Sequence, residues 1–374
     1  MRRALLKPLL LALLTLACAG ARAQRPSAVN ANFERLAARA EQARAANRLD
    51  EAAALYRDAL RVRPGWAEGW FNLGTLLYDR DAYADAAAAL SKAAALSPNA
   101  AAAWAMLGLC EFRLGRHADA LEHIQRGRRL GAADEPQLRG ALLYHEGLLL
   151  IGKGDFERAQ ETLGLLSREG VESPELTDAL GLSVLRMSFS ELLAGGASLR
   201  ELVGRAGRAE HLAAQKRFDE AGREYERLAA DYPKAKNVQY AYGRFLLATG
   251  EQERAVEAFR REIENDPKHL QARLLIADTL LRRREFAEGL PYAEQAVTLS
   301  PRLALAHYLL GSLLLGDGET ARAVAELETA ARLMPGEPRI HYALSQAYER
   351  AGRKDDARRA LATFARLKGQ DEKQ

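Results

Sequence analysis

Histidine, cysteine and a glycine-flanked lysine are the residues of this chain best suited to chemistry, and each falls short at the level of spacing. The seven histidines are His117, His123, His145, His211, His269, His307 and His341. A helical zinc site needs two histidines one turn apart with a glutamate between them, because that spacing turns both imidazoles to one face. His145-Glu146 has the glutamate and lacks the second histidine. His307 and His341 stand 34 residues apart, and their expected role is packing in partly buried slots. Gly152-Lys153-Gly154-Asp155 has the residue types of a phosphate loop without the preceding strand or the full spacing, so it reads as a turn. No strand–turn–helix context for a nucleophile elbow is visible. The expectation is a chain that is not an enzyme and carries no metal or cofactor.

The first 23 residues stand apart. Met1-Arg2-Arg3-Ala4-Leu5-Leu6-Lys7 is basic, Leu9 to Ala17 is apolar, and Ala21-Arg22-Ala23 precedes Gln24. That order describes a cleaved export signal, with an apolar run too short for the roughly 20 residues that span a bilayer. Arg2-Arg3 leaves the general and the twin-arginine routes both open, and Cys18 leaves lipid anchoring open as a minor alternative. Removing Arg2, Arg3, Lys7 and Arg22 from 54 basic residues leaves 50, against 50 acidic. A balanced mature chain has no global pull on nucleic acid, so none is expected among its partners. Cleavage also leaves Cys110 alone, which excludes an intramolecular disulfide. The expected location is exported, periplasmic or secreted, with no integral membrane segment in the mature chain.

Proline supplies the organising interval. Pro64 and Pro98 lie 34 residues apart, and Pro233, Pro267, Pro301 and Pro335 follow one another at the same distance. A fixed period of this size marks a stack of supersecondary units, none of which buries its apolar face alone. Each unit reads as two short amphipathic helices. Trp70-Phe71-Asn72-Leu73-Gly74 leads to a break at Asp79-Arg80-Asp81 and then to Tyr83–Leu96. Trp104-Ala105-Met106-Leu107-Gly108 repeats the pattern with a break at Gly115-Arg116.

Tryptophan, leucine and a small residue at these spacings, with alanine twelve residues later, is similar to the tetratricopeptide repeat family. The resemblance runs from about Phe33 to about Leu367, with unit starts at residues 33, 67, 101, 140, 174, 202, 236, 270, 304 and 338. Position 8 of every unit is small, from Ala40 and Gly74 to Gly311 and Ser345, as a close helix crossing requires. Tyr56, Leu90, Ile124, Leu163, Tyr225, Phe259 and Leu327 share one inward position of the second helices. Trp70 and Trp104 are expected as core anchors. The resemblance implies an all-α, right-handed superhelical solenoid of antiparallel helix pairs.

The domain expectation follows. Residues 1–23 are the signal, 24–32 a linker, 33–173 units 1–4, 202–367 units 6–10 and 368–374 a polar tail. Unit 5, 174–201, is degenerate: Leu180-Gly181 begins it well, but Gly195-Gly196 stands where its second helix should run. Two readings remain, a decayed repeat that still packs and a hinge between the halves.

In the family, the first helices line a concave groove. Position 5 supplies Leu274 and the five aromatic residues Phe71, Tyr144, Tyr240, Tyr308 and Tyr342, rings that offer contact area, with a polar tip on the tyrosines, or that pack on the next unit. Arg244, Asp278 and Gln346 at position 9 and Asn72 at position 6 add polar groups. Arg113, Arg186, Arg282 and Arg350 at position 13 either clamp a carboxylate or sit as ordinary cations at helix C-termini. The expected function is a non-catalytic scaffold or adaptor binding an extended protein segment in the groove. The alternatives are a chaperone for exported polypeptides and an accessory docking subunit of an envelope enzyme or export complex.

Overall fold

The computed structural model describes residues 28–371; the expected export signal, residues 24–27 of the expected linker and the last three residues lie outside them. The described chain is all helical. Four pairs come first: α1 (Ala28–Ala45) with α2 (Leu49–Val62), α3 (Ala67–Tyr78) with α4 (Tyr83–Leu96), α5 (Ala101–Arg113) with α6 (His117–Arg129), and α7 (Pro136–Lys153) with α8 (Phe156–Arg168). An irregular centre follows, made of α9 (Pro174–Val184), α10 (Phe189–Ala194), α11 (Gly196–Ala214) and α12 (Phe218–Asp231). Four further pairs complete the stack: α13 (Val238–Thr249) with α14 (Gln252–Asn265), α15 (Leu270–Arg283) with α16 (Phe286–Leu299), α17 (Ala304–Asp317) with α18 (Thr320–Leu333), and α19 (Pro338–Arg350) with α20 (Lys354–Asp371). Helix α1 starts within the expected linker, and α20 takes up part of the expected tail.

One backbone feature sets the turn inside each pair. Position 15 has positive φ in nine units, at Asn47, Asp81, Gly115, Gly154, Lys216, Gly250, Arg284, Gly318 and Gly352. Glycine takes this left-handed state without steric cost, and asparagine and aspartate tolerate it. Unit 5 differs: its positive φ falls at Arg186, position 13, so its first helix stops two residues early.

The pairs lock through small residues. A Cβ on Gly74 would lie 2.5 Å from Leu90 Cγ, and one on Gly243 would lie 2.5 Å from Phe259 Cε1. In both units a position 8 glycine makes room for the position 24 side chain, which is fully buried. Successive units are tied by position 4, and here the tryptophans differ from expectation. Trp70 and Trp104 are half-buried, and their indole N–H groups donate to the carbonyls of Pro64 (2.8 Å) and Pro98 (2.9 Å). Arg273 donates to Pro267 (2.8 Å), and His307 and His341 bond Pro301 (3.0 Å) and Pro335 (2.8 Å) in the same way. In these five units the slot holds an N–H donor that satisfies a junction carbonyl, whereas unit 4 fills it with the fully buried Leu143.

In the centre, α11 takes over from the missing second helix. A Cβ on Gly207 would lie 1.8 Å from Thr177 O, and one on Gly181 would lie 2.0 Å from Val203 O. The pairing of 177 with 207 and 181 with 203 makes α9 and α11 antiparallel, with α10 in the connection. The same α11 also pairs with α12, as Tyr225 of α12 donates to Glu210 of α11 (2.8 Å). One apolar cluster runs without a break from Leu143 through Val184, Val203 and Tyr225 to Leu280. The glycine pair therefore ends an exposed short helix beside a continuous core.

Candidate partner-binding groove

The structure divides the residues expected in the groove into two groups, and the neighbour of each decides its fate. Asn72 is buried and donates to Glu41 (2.9 Å), which also accepts the Tyr56 hydroxyl. Its amide is committed inside the stack. Phe71 is half-buried against the small residues Ala93, Ala94 and Ala103 of the next junction and lines a cleft of about 380 Å³. Tyr144 is half-buried, edge-on to His145 at 5.6 Å, and burial pushes its hydroxyl above the ordinary range.

Tyr240 corrects the expectation most clearly. It is 3% exposed, with its ring 4.7 Å from His269 and 5.9 Å from Phe259, and the Arg186 guanidinium lies over its face at 6.0 Å. Burial again pushes its hydroxyl up. Such a ring is core and offers nothing to a partner. Arg244 is likewise engaged: it donates to Gln160 of α8 (2.7 Å), and Gln160 donates to Glu210 of α11 (2.6 Å). This network joins α8, α11, α12 and α13, so the chain fills its own groove at the centre. Burial raises the Glu210 carboxyl, which its hydrogen bonds oppose.

The C-terminal stretch is open. Tyr342 is 46% exposed and meets Phe364 of α20 at 5.3 Å. Tyr308 is half-buried against Ala304, Ala330 and Ile340, with the Arg339 guanidinium 6.0 Å over its ring. Gln346 is exposed. These residues share a cavity of about 410 Å³ with Leu281, Phe286, Ser312 and Phe364. Leu274 is half-buried on the adjoining core, and Asp278 pairs with Arg282 (2.8 Å) one turn away. Of the ten residues expected at the groove, Tyr308, Tyr342 and Gln346 converge on one concavity. Phe364 and Arg339 complete it, from places that the position 5 and position 9 pattern does not reach.

The position 13 arginines all bond within the chain. Arg113 donates to the Tyr83 hydroxyl (2.7 Å), Arg186 pairs with Glu157, Arg282 with Asp278, and Arg350 donates to the Leu315 carbonyl. A carboxylate clamp built from them would have to break those contacts first. Two histidines show how burial works in this stack. His123 bonds Glu111 (2.6 Å), which raises its basicity, whereas desolvation lowers that of His145, whose Nδ1 donates to the Ala141 carbonyl (2.7 Å). The Cys110 thiol is buried and pushed up to about 12 by desolvation, which makes it a poor nucleophile at neutral pH. Among the described residues no three histidine, cysteine or carboxylate side chains converge as a metal site.

Comparison with known proteins identifies the repeat. Family profiles for the tetratricopeptide repeat match residues 37–101, 71–135, 207–270 and 274–338, and a second such profile matches 314–373. The longest stretch left out between the matched ranges is 136–206, which holds α7 to α10 and the first half of α11. Among solved structures, the chain is similar to a MamA RS-1 double mutant (22% identity, 46% of this chain, 98% of that chain, TM-score 0.44). It is also similar to MamA 41-end from Desulfovibrio magneticus RS-1 (25%, 46%, 97%, TM-score 0.41). A third is YrrB, described as a TPR protein with an unusual peptide-binding site (16%, 44%, 86%, TM-score 0.41). No curated protein matches the chain.

Proposed function

This chain belongs to the tetratricopeptide repeat family, and from that premise we propose that it is a non-catalytic scaffold whose C-terminal groove holds an extended segment of a partner protein. The observation that carries the reading is the exposed Tyr342, set with Tyr308, Gln346 and Phe364 around one open concavity on first helices α17 and α19. Rigid aromatic rings with a polar tip bury large area at little entropic cost, and such residues dominate binding energy at protein interfaces. The exposed Gln346 amide supplies both a donor and an acceptor for an extended backbone. No helix of the described residues is long and apolar enough to cross a membrane. We place the scaffold outside the cytoplasm on the strength of residues 1–23, a basic, apolar and small-residue leader.

Selection of extended peptides from a random library against the purified protein tests the groove. The selected peptides should lose at least tenfold in affinity for Tyr342→Ala and for Gln346→Ala, with helicity and melting unchanged. Affinities unmoved by both substitutions would reject this groove. The location is tested separately, by fractionating cells that express the chain with and without residues 1–23; retention of the full-length protein in the cytoplasm would reject export.

A further inference from the structure

A second concavity lies far from that groove, between units 3 and 4, and does not depend on the reading just given. It measures about 580 Å³, within the roughly 300–1,000 Å³ range of small-molecule pockets. Its walls are Phe112 at the end of α5, Leu121 on α6, Leu148 on α7 and Phe189 at the start of α10. Phe189 is there because unit 5 lacks an ordinary second helix. A capping box fixes the first turn of α10: Ser188 Oγ accepts from the Glu191 N–H (3.3 Å), and Glu191 Oε2 accepts from the Ser188 N–H (2.7 Å). No residue of α10 is fully buried, so this short helix forms an outer wall that opens at small cost.

The one formally charged side chain at this wall is a lysine. The lining includes Lys153 and His117 and no carboxylate. Lys153, the last residue of α7, is exposed and makes no hydrogen bond or ion pair with any described residue. His117 is the first residue of α6, a helix without a side-chain cap, which adds the positive end of its dipole to the same wall. Apolar walls with a lone free cation match a molecule with a tail and a negative head.

We propose that this cavity binds a single-chain anionic amphiphile, a long-chain carboxylate, with its tail against Phe112, Leu121, Leu148 and Phe189 and its head at Lys153. Tail burial supplies the affinity, and the cation selects the head. Gly152 provides a test that leaves the fold intact. A Cβ there meets no atom within 4 Å, so Gly152→Leu fills the cavity from an ordinary helical position.

Calorimetric titration of the full chain with dodecanoate, kept below its micelle threshold, measures this. One dodecanoate should bind per chain in a saturable manner, at least tenfold more tightly than dodecyltrimethylammonium. Gly152→Leu and Leu148→Trp should each weaken it at least tenfold with melting unchanged for the former. Lys153→Gln should weaken dodecanoate several-fold and leave dodecanol unaffected. Absence of saturable heat, equal binding of the cationic amphiphile, or dodecanoate binding that survives both cavity-filling changes would overturn the proposal.

Discussion

Position 5 is tyrosine in unit 7 and again in units 9 and 10, yet Tyr240 is 3% exposed and Tyr342 is 46% exposed. Position 9 shows the same contrast, with Arg244 tied to Gln160 of α8 and Gln346 free at the surface. The C-terminal pairs stack regularly, so each first helix leaves one stripe open. In the centre, α11 serves both α9 and α12, and this draws α8, α9 and α13 together over the stripe. A place in the repeat therefore fixes which way a side chain leaves its own helix. Which surface it meets depends on the regularity of the units around it.

The contrast is sharpest in Tyr240 against Tyr342. Replacing Tyr240 by alanine should cost about 3–5 kcal/mol, as for other buried aromatic rings, while Tyr342→Ala should cost below about 1 kcal/mol; urea unfolding of both variants measures it. Comparable losses would remove the distinction between the two regions.

His269 joins the regions and adds a pH dependence. Its Nδ1 accepts from the Ala272 N–H (3.1 Å), which caps α15, so its Nε2–H donates to Asn237 (2.9 Å) and the ring is held neutral. Desolvation lowers it from the ordinary 6.5 to about 4. Between those values the unfolded chain takes up a proton at this residue and the folded chain does not. Stability should fall as pH drops from 6.5 and level off below about 4, by up to about 3 kcal/mol. His269→Asn keeps a capping oxygen without the titration, and unfolding curves at several pH values should show a correspondingly smaller acid loss than the parent. Identical pH profiles would show that the ring does not resist protonation.

Backbone crossing against side-chain crossing gives the next comparison. Gly207→Ala forces a Cβ into a main-chain carbonyl and should cost about 2–3 kcal/mol. Gly74→Ala meets the Leu90 side chain first, at 2.5 Å, and the Leu90 backbone nitrogen only at 3.3 Å, so it should cost less, about 1 kcal/mol. The smallest effect concerns Gly195-Gly196. Leu193 beside it is 75% exposed, so limited proteolysis should cut there first. The two fragments should stay associated on gel filtration, because the apolar cluster continues past the cut. Separation of the fragments would establish a hinge; resistance at this link would reject the hinge and leave a decayed repeat that packs.

The regular part of this architecture was legible because each requirement repeats. Prolines at the junctions, small residues at position 8 and apolar residues at position 24 report one packing solution many times over. The centre was legible only as a fault. Gly195-Gly196 signalled that a helix was missing, but no pattern indicated that α11 would replace it, since that depends on backbones in contact at Gly181 and Gly207. The role of position 4 was hidden for a different reason. Tryptophan, arginine and histidine look unrelated when sorted by bulk, and they share only an N–H group at a similar reach.

The open stretch also acts as a ruler. It is framed by three consecutive first helices, α15, α17 and α19, and Phe364 stands at its far end. Two helix-to-helix steps of roughly 8–10 Å set a span near 20 Å, which about six residues of extended chain would cover. A ligand motif for this protein should therefore be short, and lengthening it beyond that span should add reach without adding grip.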